Sequence, residues 1–364
     1  MSSESSRSSP VVSIIIVNWN GAKFIAKCLE SVLQTADIQY QVVVVDNAST
    51  DGSDRIVEQV SLTDNRVRLL RLKKNVGFSE ANNLGAANST GEYIALLNPD
   101  TKVDPGWLAP LLNKVRASGD NIVQSKLKQL DSDFLDGLGD FPTVHGLSLI
   151  LAHGMRDRAT PIEEVFSARA ASMLLSTNKF KSLGGFDGAF FAGYEDVDLG
   201  WRHRLSGGKV FVEEDSIVYH FGRAFTKRSG TLEYFHKHKN SIAMVIKNYS
   251  LGNVMRFVPV TIALRFLVSC IPLSELKGQM GTPLSSMAGT LWVFRHTREI
   301  WSKHLQVQLN LRKVPDSEVQ RLMLPPSFYV DLLRWVFLRT KKDSFWNYLY
   351  RSMLKHIAVM ASKT

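Results

Sequence analysis

Asp100, the acidic run Glu195-Asp196-Val197-Asp198 and His220 are the residues whose types and settings could do chemistry. Asp100 follows the apolar run Tyr93 to Leu97 behind Asn98 and Pro99, which puts a carboxylate at a strand tip; the same tripeptide is also a common turn. The acidic run opens a helical stretch that continues through Arg204. One or two acids in a first turn complement the helix dipole. A third, flanked by Phe190, Phe191, Gly193 and Tyr194, suits a carboxylate held against an incoming hydroxyl as general base. His220 follows a short strand and precedes Gly222, Arg223, Lys227 and Arg228. It reads as a structural histidine beside a solvated basic face, or, paired with a distant aspartate, as part of a site for a hard divalent cation on phosphate oxygens. The neighbouring cations would then favour a diphosphate.

These residues need elements to position them. Val11 to Val17 and Gln41 to Val45 are β-branched runs of the kind buried on both faces of a parallel sheet, and Ala22 to Gln34 between them has helical spacing. The alternation continues with a helix over Asp51 to Val60, a strand over Val67 to Leu72, a helix over Ser79 to Ala87 and a strand over Tyr93 to Leu97. This pattern predicts an open α/β sheet, whose ligands bind beyond the carboxyl ends of the strands. Further strands are expected at Ser167 to Leu175, Val210 to Val212 and Ile217 to Tyr219, and residues 143–164, which lack periodicity, are expected as a loop over the site.

The chain has 364 residues, 45% hydrophobic and 21% charged, which excludes a mainly disordered state. Cys28 and Cys270 match no metal-ligand or redox spacing, and a reducing compartment is expected. Residues 1–240 carry 27 Lys and Arg against 28 Asp and Glu, a balance of −1, while residues 241–364 carry 17 against 6, or +11. An asymmetry of this size points to an anionic partner for the last third. Met1 to Pro10 is a Ser-rich polar tail without the apolar core of a signal peptide, so a cytosolic start is expected. Val254 to Ile271 is the longest apolar stretch, but Arg256, Pro259 and Arg265 argue for an interfacial or buried segment, since a charge at mid-bilayer costs roughly 2.5–3.5 kcal/mol. Asp331 to Lys355 mixes Leu, Phe, Trp and Tyr with Arg and Lys, the composition of an interfacial helix or of a bundle packed on the catalytic domain.

Six stretches, VSIIIVNWNG (Val12 to Gly21), VVVVDNASTDGS (Val42 to Ser53), NVGFSEANNLG (Asn75 to Gly85), GEYIALLNPDT (Gly91 to Thr101), GGFDGAFF (Gly184 to Phe191) and YEDVDLGWR (Tyr194 to Arg202), resemble in order the motifs of glycosyltransferase family two, nearest its rhamnosyltransferase-like branch. The resemblance covers about residues 11–250. It implies a GT-A fold, a Rossmann-like mixed and mainly parallel sheet with flanking helices, here followed by a basic helical C-terminal domain. The implied organisation is a tail over 1–10, a catalytic domain over 11–240 and the helical domain over 241–364.

The resemblance further implies an inverting transfer of a sugar, rhamnose on dTDP or a UDP-linked hexose, to a glycan or lipid-linked oligosaccharide. Val17, Asn18, Asn20, Asp46, Asn75, Gly77, Phe78, Asn82, Asn83 and Asn98 would line the nucleotide-sugar pocket. Asp100 and His220 would hold Mg²⁺ or Mn²⁺, Arg223 or Arg228 would meet the diphosphate, and Asp196, in its pair with Glu195, would be the catalytic base. Tyr194, Asp198, Trp201 and Arg202 would lie on the acceptor side. The family's Asp-x-Asp reads Asn98-Pro99-Asp100 here, leaving one carboxylate for the metal, so the donor phosphates would carry more of the coordination. The basic third would seat the protein peripherally on the inner face of a membrane or support a homo-oligomer; no nucleic-acid motif accompanies it. Two rivals are a non-catalytic sugar- or lipid-binding scaffold of the same fold and a sugar nucleotidyltransferase. The latter should carry a Gly-rich, Arg-containing loop where this chain reads Asn18-Trp19-Asn20-Gly21.

Overall fold

The β-branched runs form the centre of a mixed sheet in the computed structural model, which describes residues 10–36, 38–157, 162–222, 230–270, 282–330, 348 and 351–355. β1 (Val12–Asn18) pairs in parallel with β2 (Tyr40–Asp46) and β4 (Tyr93–Leu97), and β2 pairs in parallel with β3 (Val67–Arg71). The connections run through α1 (Ile25–Leu33), α2 (Ser53–Thr63) and α3 (Phe78–Ala87). α1 buries Ile25, Cys28, Leu29 and Val32 because these recur at helical spacing on one face. α3 comes close to the sheet because Gly85 has no side chain; a Cβ there would lie 2.5 Å from Ile15.

Beyond β4 the sheet turns mixed. β5 (Thr101–Val103) and α4 (Leu108–Ser118) lead into β6 (Ile122–Gln129), which also pairs with β7 (Leu135–Gly137). β10 (Ser172–Ser176) inserts antiparallel between β4 and β6, giving the order β3-β2-β1-β4-β10-β6-β11-β5. The two short strands expected near residues 210 and 217 are one strand, β11 (Val210–His220), interrupted by a register shift between Glu213 and Ile217. His220 is its last residue. α5 (Thr177–Ser182) and α6 (Glu195–Leu205) lie between β10 and β11.

The described part of 143–164, residues 143–157 and 162–164, departs from the expected loop over the site. β9 (Ser148–Ile150) pairs antiparallel with β8 (Asp140–Pro142), and Val144, Leu147, Leu149 and Leu151 are buried. Strands of three residues are too short for an alternating pattern to register in sequence.

The chain continues through α7 (Gly230–Asn248), α8 (Leu251–Ser269), α9 (Pro283–Arg295), α10 (Thr297–Gln306) and α11 (Asp316–Gln320). The charge break at Asn240 is not a break in the fold. Asn240 is buried inside α7, and its amide donates to the carbonyls of Phe190, Ala192 and Gly193 at 2.8, 3.1 and 2.6 Å. One apolar cluster joins Leu96, Phe166 and Trp201 to Ile242, Tyr249 and Phe328, so the C-terminal helices complete the core on that face of the sheet. Among the described residues no helix is long and apolar enough to cross a membrane. The tail through residue 9 and, apart from residues 348 and 351–355, the basic aromatic stretch after 330 lie outside the described residues.

Candidate active site

The carboxyl ends of β1, β2 and β4 meet in one cleft. Asn18 is buried, and its amide donates to Asp46 Oδ1 at 3.0 Å and Ser53 Oγ at 2.8 Å. Asp46 in turn accepts from the Ser49 amide at 3.1 Å. Asn18 thus sets the position of Asp46. Asn20, in the left-handed region at φ 51°, accepts from the Thr50 amide at 2.8 Å and ties the β1 turn to the β2 turn. Asn47 donates to Asn75 Oδ1 at 2.9 Å and accepts from the Val76 amide at 2.9 Å, which fixes the turn before α3. Gly77 is required there: φ is +89°, and a Cβ would lie 2.6 Å from the Phe191 carbonyl.

Asn47, Asn75 and Gly77 wall a cavity of about 450 Å³, whereas Asn18, Asn20 and Asp46, expected in the pocket, lie behind its lining and brace the turns that form it. Val17, Trp19, Asn47, Asn75 and Phe78 form one side with Gly77, Asn98 and Pro99. Phe191, Gly193 and the first turns of α7, with Leu232, His236 and Lys237, form the other. His236 stacks on Phe191 with ring centroids 4.8 Å apart, and burial holds its imidazole at about 4, hence neutral. Asn82 and Asn83, expected in the pocket, face elsewhere. Asn82 donates to the Phe78 carbonyl four residues back, and Asn83 exchanges two 2.8 Å bonds with the backbone of Phe186. They hold α3 and the Gly184-Gly185 turn in place.

Asp100 and His220 do meet: Asp100 Oδ1 lies 3.2 Å from His220 Nε2, and Asn98 Nδ2 lies 3.4 Å from the same nitrogen. The other ring nitrogen, Nδ1, is 2.8 Å from Asp136 Oδ2, and Arg169 donates to that carboxylate oxygen at 2.6 Å. Burial opposes charge on the imidazole, but the Asp100 and Asp136 carboxylates outweigh it and raise His220 to about 9. Asp136, despite its burial, is held well below the ordinary carboxylate range by Arg169 and His220.

The donor set fits a hard cation. Asn98 Oδ1 and Asp100 Oδ1 are buried without an aligned hydrogen-bond donor. Asp136 stands behind His220 as a carboxylate stands behind a metal-ligating imidazole, leaving Nε2 to turn to the ion once its proton is lost. Among the described residues no three His, Cys, Asp or Glu side chains converge as a complete metal site, so phosphate oxygens would have to finish the coordination. Arg223 and Arg228 lie outside the described residues.

The acidic run divides by depth. Glu195 is buried and raised to about 8, by burial and then by the charge of Asp196. Asp196 is half-buried, accepts from the Ala170 amide at 3.3 Å, and is raised by burial against the pull of Arg169. Asp140, at the start of β8, is likewise raised to about 8 by burial and by Asp196. Arg169 therefore stands between the Asp100 and His220 side and the Asp196 side of the site. The preceding loop is strained, with Phe191 and Tyr194 at φ 62° and 72°, as backbone around reactive groups often is.

Three residues expected on the acceptor side are interior. Asp198 is fully buried and accepts from Arg202 Nε at 2.9 Å, Lys247 at 2.8 Å and Asn248 at 2.9 Å. Trp201 packs edge-on between Phe166 and Tyr249. Arg202 donates to the Leu183 and Gly185 carbonyls. A helix that is covered all round hides these positions. Trp19 and Asn47 fall in the strand-end stretches where a ligand is expected, Val17 to Asn20 and Asp46 to Ser49, whereas Asp136, Asp140 and Arg169 are not singled out by the sequence. Trp19 carries a signal, a large aromatic at a strand end that is 41% exposed. So does Arg169, a lone cation inside an apolar stretch.

Residues 13–174 match the model of glycosyl transferase family 2. Polypeptide N-acetylgalactosaminyltransferase 4 of Mus musculus is 31% identical over 245 residues, covering 61% of this chain and 41% of that relative. The chain spans about two fifths of the length of such relatives. A crystal structure of GalNAc-T7 with UDP, GalNAc and Mn²⁺ is similar with a TM-score of 0.57 at 17% identity, over 79% of this chain and 57% of that one. The structure of S. aureus TarS 1-349 is similar with a TM-score of 0.51 at 16% identity, over 97% and 92%. The chain has the GT-A fold, with its C-terminal helices packed on the same core.

Proposed function

We propose that the protein is an inverting glycosyltransferase that takes a sugar from a nucleotide diphosphate donor. The observation that carries the reading is the cavity at the ends of β1, β2 and β4, with Asn98 Oδ1 buried and unsatisfied on its wall and Asp100 Oδ1 close by, facing His220 Nε2. Trp19 and Phe78 offer flat apolar faces to a base, and Asn47 and Asn75 fix the turn that shapes its edge. Asp196 takes the proton from the acceptor hydroxyl as that oxygen forms a bond to the anomeric carbon, while the bond to the diphosphate oxygen breaks on the opposite face. Its surroundings suit a base: burial strengthens it and Arg169 keeps it ionisable. Asp100 and His220 would hold Mg²⁺ or Mn²⁺, which when bound neutralises charge growing on the leaving diphosphate. That the similar GalNAc-T7 structure holds UDP and Mn²⁺ supports a nucleotide donor and a divalent cation.

The motif resemblance makes rhamnose on dTDP the first donor to try and UDP-linked hexoses the next, with a glycan or lipid-linked oligosaccharide as acceptor. The test is release of nucleotide diphosphate from a donor panel, with Mg²⁺, Mn²⁺ or chelator, by wild type and Asp196→Asn. Selection of one donor, loss of turnover in the variant and loss on chelation are expected. Donor binding with equal, negligible turnover in both proteins, even with membrane extract as acceptor, would instead fit a scaffold.

A further inference from the structure

α8 and α9 each present an uncovered apolar face. Both helices pack on α7 and on each other, burying Val254, Phe257, Thr261 and Arg265 of α8 and Ser285, Gly289 and Val293 of α9. Their outer faces carry Met255 and Leu267 on α8, and Leu284, Met287, Leu291 and Phe294 on α9, each between 49% and 72% exposed. A soluble surface rarely concentrates large apolar side chains in this way unless something covers them.

The charge around these faces has one sign. From Ser250 to Arg298 the sequence holds a single carboxylate, Glu275, against five Arg and Lys. Arg265 turns inward, and Arg256, Arg295 and Arg298 are exposed. A symmetric pair of copies joined through this surface would bring like charges together. A nucleic acid would answer the arginines but leave Met287, Leu291 and Phe294 in water. An anionic bilayer answers both, with apolar side chains entering the headgroup boundary and arginines meeting lipid phosphate.

We propose that the outer faces of α8 and α9 are a docking surface for an anionic lipid bilayer, on which the helices lie in the plane of the membrane. This inference stands apart from the assignment of the active site. It is tested by flotation of the full chain with phosphatidylcholine vesicles with and without phosphatidylglycerol. Binding to the anionic vesicles is expected, weakening about tenfold as salt shortens the reach of surface charge. Met287→Glu with Phe294→Glu should reduce it by a similar factor, and Arg295→Ala with Arg298→Ala should reduce it without adding charge to the apolar face. Near-UV circular dichroism reports whether each variant is folded. Absence of binding to anionic vesicles, binding unchanged in both folded variants, or a dimer in solution that Met287→Glu disperses would each overturn it.

Discussion

Asp196 and Asp198 stand two residues apart in the first turn of one helix and meet opposite surroundings. Asp198 faces Arg202, Lys247 and Asn248, which satisfy it and hold its pKa below the ordinary carboxylate value despite complete burial. Asp196 faces Glu195, Asp140 and a single cation shared with Asp136, and its carboxyl is raised. One acid is spent on holding α6 to α7 and the other is left with capacity to act. A cluster of acids in sequence is therefore two signals overlaid, separated by which cations the fold brings near.

The contrast is sharpest in paired substitutions. Asp196→Asn should lower sugar transfer by about 10²- to 10⁴-fold, the usual contribution of a positioned base, with no fall in Tm. Equal losses of Tm and activity would erase the distinction. Asp198→Asn should instead cost about 3–5 kcal/mol of stability, because Lys247 and Arg202 lose their buried counter-charge. Thermal unfolding measures it. Asp198 has a lowered folded value, so its stabilisation is complete above the ordinary value of 3.8, and the variant's deficit should shrink as pH falls below that.

A smaller effect tests whether the C-terminal helices reach the base. Arg265 of α8 donates to Tyr194 Oη at 2.5 Å and to the Gly146 carbonyl at 3.0 Å, and Tyr194 immediately precedes Glu195. Arg265→Met should lower kcat by roughly tenfold or somewhat more, one charged hydrogen bond being worth about 1.5–3 kcal/mol, with donor Kd unchanged. Tyr194→Phe added to it should cost little more. Additive losses, or a weakened donor Kd, would show that Arg265 supports the fold generally. A last test is in pH. Glu195 is raised from 4.5 to about 8, so its burial costs stability increasingly as pH rises across that window. The Tm of Glu195→Gln relative to wild type should climb from pH 4.5 to about 8 and then level off; a flat difference would mean that Glu195 titrates normally.

The sheet core was legible because β-branched runs and helical spacing alternate through residue 97 without interruption. β6 was not, since its buried Gln124 and Ser125 break an apolar reading; their partners include residues far along the chain, Arg169, Ser172 and Ser216. Asp100, His220 and Asp196 could be singled out by their places at element ends. Asp136 and Arg169 could not, because their significance lies in contact with His220 and Asp196, which no local spacing encodes. Asp198, Trp201 and Arg202 misled for the same reason, sitting in a helix whose polar residues are answered from α7 and from the Leu183 to Gly185 turn.

α7 begins at the cavity wall with Leu232, His236 and Lys237 and ends at Lys247 on Asp198, a rod of about 28 Å for its 19 residues. A hydrogen-bonded rod carries displacement from end to end instead of absorbing it. One continuous hydrogen-bonded element therefore joins the cavity wall to the α8 and α9 helices mounted on its flank.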